Sequence, residues 1–131
     1  MIYLLIWAAF AASTGIAEAF LFNYTKELNE AFKEMFKYDI HWLFVKIRAF
    51  HLIPILFLVD HWIIFALIAV FTFPFIHDGC YYQTRKILSS GKIYPKGFMD
   101  QSINTTAKLS FNFTTRLILF IFGAGMIFVI I

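Results

Sequence analysis

Apolar residues in this chain fall in long blocks, not in the strict alternation of a half-buried strand or the narrow stripe of a surface helix. The first block, residues 2–22, is about twenty residues long, which as a helix crosses roughly 30 Å, the hydrocarbon thickness of a bilayer. Residues 23–39 are polar, but Leu28, Phe32, Met35 and Phe36 recur at helical spacing opposite Glu27, Glu30 and Lys33. That pattern predicts a helix lying in the membrane interface.

The stretch 41–76 is apolar and, as one helix, would measure on the order of 50 Å, far more than one crossing needs. It therefore crosses twice with a turn near Asp60-His61, or crosses once and lies partly on the surface. After Ile76, the His77-Asp78-Gly79 run closes the third helix, and a turn region with Gly91, Pro95 and Gly97 leads to a helix start near Asp100 or Ser102. The expected fold is all-α, a polytopic transmembrane helical bundle of one domain with spans at about 2–22, 42–58, 61–76 and 114–131. Three spans plus an interfacial helix is the alternative.

Composition agrees with a lipid-facing chain. Of 131 residues, 61% are hydrophobic and only 15% charged, more apolar surface than a soluble domain of this size can hide. The net charge of +3 is too small to indicate nucleic acid, but its distribution sets orientation. With two crossings in 41–76, all 11 Lys and Arg residues lie in or near the face holding segments 23–40 and 77–113. That face is expected to be cytoplasmic, or the matrix side in an organelle, with both termini opposite. Ala17-Glu18-Ala19 has the form of a signal-peptidase site, yet no basic region precedes the apolar block, so the segment reads as a retained span. The single cysteine, Cys80, excludes an internal disulfide.

Glu18 is the most informative residue, because a carboxylate inside a span is costly and normally faces protein or water. It lies beside a stripe of small residues, Ala8, Ala11, Ala12, Gly15 and Ala19, that invites close helix packing. Arg48 falls at a similar depth and is its economical counter-charge. Spacings of seven and three put His41 and His51 on the same side of the second helix as Arg48. His77 and Asp78, followed by Tyr81 and Arg85, extend the candidate polar pocket at the cytoplasmic boundary. A closed structural network is the expectation for these groups. A metal ion held by Glu18, His51, His77 and Asp78, a haem, a phosphate headgroup or a relayed proton are weaker alternatives, since none has its own ligand spacing here. No cofactor is expected.

Asp60 and His61 read as a solvated outer turn, while Tyr38, Trp42, Tyr81, Tyr82 and Tyr94 read as interfacial anchors on the basic side. The Asn-x-Ser/Thr matches at Asn23, Asn104 and Asn112 are taken as chance. No phosphate loop, nucleophile elbow or Cys-x-x-Cys pair is present. The expected role is a structural or accessory subunit of a membrane assembly, with lipid and other membrane subunits or copies of itself as partners. A membrane-embedded enzyme or transporter using the polar pocket, and a holin-like permeabilising protein, are the competing classes.

Overall fold

The computed structural model describes residues 2–24, 40–101 and 111–129, with the side chains of Tyr24, Val129 and residues 40–44 left aside. The expected interfacial helix over 23–39, the anchors Tyr38 and Trp42, the His41 side chain and the Asn104 match therefore lie outside the described residues. Within them every regular element is helical: α1 Ile2–Tyr24, α2 Ile40–Leu56, α3 Trp62–Leu88 and α4 Phe113–Gly125, with 3-10 turns at Gly97–Met99 and Met126–Val129. Two helices, Ile2–Asn23 and Trp62–Leu88, are long and apolar enough to cross a membrane; Phe113–Phe128 is apolar but shorter.

Helix directions follow from which residues meet. The Trp7 indole donates to the Ala69 carbonyl at 3.2 Å, Glu18 meets His77, and Arg85 approaches Asn23, so α1 and α3 run parallel in constant register. Helix α2 returns antiparallel alongside them, with Arg48 beside Glu18 and His51 beside Phe10. Helix α4 runs antiparallel to α3, Phe120 stacking on Phe75 at 4.6 Å and Phe122 meeting Phe71 edge-on at 5.1 Å. The ends of α1 and α3 and the starts of α2 and α4 thus gather at one end of the bundle, and the turn 57–61, with Asp60 and His61 exposed, lies at the other.

The most extensive interface is between α1 and α3, and the small residues of α1 explain it. Ala11 and Ala19 are fully buried, and Gly15 sits so close to α3 that a methyl group there would overlap the His77 carbonyl. Trp7, Phe65 and Ala69 form the apolar core near the turn end, where Leu52, Ile55 and Leu56 bring α2 into contact.

Helix α3 does not close at His77-Asp78 as the dipeptide and Gly79 suggested; it continues to Leu88. The glycine is a packing position: any side chain at Gly79 would collide with the Phe98 ring, which the turn Gly97–Met99 folds back onto the helix. The helix ends instead at Ser89. Ser90 and Gly91 take left-handed conformations there, and the Gly91 amide donates to Lys86 and the Ser90 amide to Ile87, a Schellman arrangement that satisfies terminal carbonyls. The helix start expected near Asp100 is also displaced. Asp100 turns its carboxylate back to the amides of Lys96 and Gly97, and α4 begins beyond Asn112, whose side chain accepts from the Thr115 amide at 2.8 Å as an N-cap. The proposed start at Ser102 lies outside the described residues.

The close approach at Gly15 predicts a position-specific effect. Gly15→Ala will lower stability by about 1–3 kcal/mol through overpacking against α3. Gly125→Ala, where nothing lies within 4 Å of the added atom, will not. Thermal unfolding of both variants in detergent, followed by circular dichroism, checks the difference; equal midpoints would contradict the helix contact.

Candidate functional site

Four of the seven candidate pocket residues converge. Glu18 on α1 carries a side chain only 4% exposed, against which Arg48 on α2, 17% exposed, directs Nη2. The same Nη2 lies 2.7 Å from His77 Nε2, and that ring nitrogen is 3.0 Å from Glu18 Oε2. On the far side of the ring, His77 Nδ1 is 2.9 Å from Asp78 Oδ1. Three helices therefore meet through one carboxylate, one guanidinium and one imidazole, with a second carboxylate at the edge.

The local sequence explains how these groups reach one another. The small face of α1 lets Glu18 approach the α3 backbone at the level of His77. Phe73, one turn before His77, stacks on its ring at 4.8 Å and lies 5.0 Å beneath the Arg48 guanidinium, so one aromatic face positions both. The two hydrogen-bond patterns at Nε2 are alternatives. A neutral ring protonated on Nδ1 donates to Asp78 and accepts from Arg48, whereas a ring protonated on both nitrogens donates to Glu18 and Asp78 and no longer accepts from Arg48.

The other three candidates stand elsewhere. His51 is exposed, pairs through Nδ1 with the Ile47 carbonyl of its own helix at 2.7 Å and stacks on Phe10 at 5.0 Å. Because α2 runs antiparallel to α1, three residues beyond Arg48 carry it about 4.5 Å away from the Glu18 level. Tyr81 joins an aromatic group with Phe22, Tyr82 and Tyr94, and Arg85 makes a long 3.5 Å contact with Asn23. Among the described residues, no three His, Cys, Asp or Glu side chains form a metal-holding group, and His51 and His77 belong to separate environments.

Arg116 is the residue that sequence reading passed over as one more basic-face cation. It is fully buried on α4, donates to the carbonyls of Phe98 and Asp100, and lies 5.1 Å over the Tyr82 ring and 5.9 Å over Phe113. Through these two bonds it clamps α4 to the turn that follows α3. Its Nε and Nη1 are buried without a hydrogen-bond partner. The signal was present in the sequence: an arginine followed by an apolar block deserves the suspicion given to Glu18.

Glu18, Arg48 and His77 thus join three helices, with Asp78 at the edge, while Arg116 separately ties α4 to the turn after α3. No family model matches the chain, and no curated protein or solved structure does either.

The geometry predicts a strongly asymmetric response to mutation. Arg48→Met leaves Glu18 buried without its guanidinium and will cost about 3 kcal/mol, while Glu18→Leu combined with Arg48→Met will recover most of that loss. Denaturant titration of the purified variants in mixed micelles checks this. A double variant no more stable than the single one would contradict the pairing.

Proposed function

We propose that the chain is a polytopic integral membrane protein whose four helices cross the bilayer, and that it serves as a structural or accessory subunit of a membrane assembly. One observation carries the reading: the buried charges answer one another, so that Glu18, Arg48, His77 and Asp78 form a hydrogen-bonded network joining three helices. Such a network fixes helix positions in lipid, where an unanswered charge is expensive. Outward, α1 presents Leu5, Ile16 and Phe20, and α2 presents Val45, Phe50 and Ile53, apolar faces suited to lipid or to the helices of a partner.

In this reading the bundle end formed by Tyr24, Ile40, Leu88 and Phe113 faces the cytoplasm or matrix. The Asp60-His61 turn and both termini face the opposite compartment. Its 13 residues make α4 short for a full crossing, and the apolar Met126–Val129 turn extends it.

A second reading, a membrane-embedded enzyme or transporter, is favoured by one feature of the same cluster. The Asp78 side chain is 27% exposed, so the buried His77–Glu18 pair has a polar neighbour that reaches the surface. Substrate or proton-relay chemistry at Glu18, His77 and Asp78 would operate through that opening.

In membranes carrying a Cys80→Ser background, cysteines at Lys33 and Lys92 will label from one side and a cysteine at His61 from the other. Crosslinking followed by native mass in mild detergent will then show the chain with partner subunits or further copies of itself. Lys33 and Lys92 labelling from opposite sides would overturn the four-crossing arrangement. A monomer without partners that carries stoichiometric metal, lost in His77→Ala, would replace the accessory role with the enzyme.

A further inference from the structure

Among the described residues, the basic end of the bundle carries cations that are in no ion pair. Arg48 is committed to Glu18, and Arg116 to two carbonyls. Asp100 is spent on the amides of Lys96 and Gly97. What remains at the close of α3 and in the turn after it is Arg85, Lys86, Lys92 and Lys96, none of which is in an ion pair among the described residues. Arg85 Nε is moreover buried without a hydrogen-bond partner.

The neighbours of these cations decide what kind of anion they suit. Ile87 is 67% exposed and Met99 61%, and Ile93 follows Lys92 directly, so apolar side chains project among the lysines. Beneath them Tyr81, Tyr82 and Tyr94 pack ring to ring, with centroids 4.8 to 6.3 Å apart. A nucleic acid or an acidic peptide offers nothing for exposed isoleucine and methionine. A lipid surface does: apolar side chains enter the acyl boundary and cations lie among the phosphates, while the buried rings of Tyr82 and Tyr94 support the turn from within. The length of α3 agrees, since its 27 residues measure about 40 Å and carry its last two turns beyond a core of roughly 30 Å.

We propose that Lys86, Lys92 and Lys96, with Ile87, Ile93 and Met99 between them, form a binding surface for anionic phospholipid headgroups. The surface selects anionic over zwitterionic lipid in the leaflet at the bundle's basic end. It rests on the membrane placement proposed above, and holds the end of α3 and the following turn at the headgroup layer. The positive charge is the selective element; the apolar residues seat the turn in either lipid.

Native mass spectrometry of the full chain, extracted from nanodiscs of equal phosphatidylglycerol and phosphatidylcholine, reads this directly. The wild-type chain will retain phosphatidylglycerol preferentially. In the variant Lys86→Gln, Lys92→Gln, Lys96→Gln the preference will fall on the order of tenfold or more. The Ile87→Ser, Ile93→Ser variant will keep it. Unchanged helicity and elution volume establish that the variants are folded. Equal retention of the two lipids by the wild type, or an undiminished preference in the lysine variant, overturns the inference. So does lysine-dependent binding of a soluble polyglutamate peptide without any lipid preference. Carbonate extraction separates the two levels: a chain that stays embedded yet shows no preference refutes this surface alone, whereas release by carbonate refutes the membrane placement.

Discussion

Glu18 lies between α1 and α3 with almost no exposure, and the rest of the structure can be read as the means of keeping it there as an anion. A buried carboxylate needs a cation in contact and donors for its remaining lone pairs. Arg48 and His77 supply these from two other helices. Because both partners come from elsewhere in the chain, satisfying one charge fixes the relative height of three helices. The apolar contacts around Trp7 hold the opposite end of the same three elements. Charge at one level and hydrophobic packing at another together prevent sliding, which apolar helices alone resist poorly.

The small-residue face of α1 makes that arrangement possible. Gly15, Ala11 and Ala19 let two long helices run parallel at a separation where a side chain from one reaches the functional groups of the other. Parallel α1 and α3 place the polar connections at one end, where the turn after α3 folds back so that Phe98 covers Gly79 and its carbonyl meets Arg116. A fourth helix is thereby tied to the turn that covers α3.

Much of this was legible in the chain because the cost of charge in an apolar block is a local signal. Glu18 and Arg48 stand out on that ground, and the excess length of 41–76 anticipates the turn at 57–61 that separates α2 from α3. What escaped depends on long-range contact. Gly79 reads as a breaker until the Phe98 ring is seen filling the place of its missing side chain. His51 shares a helix side with Arg48, but the antiparallel course of α2 carries it to the level of Phe10. Arg116 differs again: it stands with the other cations in or near the basic face, and its two carbonyl partners in the turn after α3 reveal its burial. Asn112 shows a short pattern serving a local purpose, as its side chain caps α4.

The Glu18–Arg48 contact sets the packing of α1, α2 and α3. Solid-state NMR of the full chain in lipid, with the Glu18 carboxyl carbon labelled with 13C and the Arg48 guanidinium with 15N, measures it without perturbing the network. The direct ion pair predicts a measurable carbon–nitrogen dipolar dephasing, corresponding to a separation of about 4 Å. A separation beyond about 6 Å, longer than any direct pair allows, would contradict it.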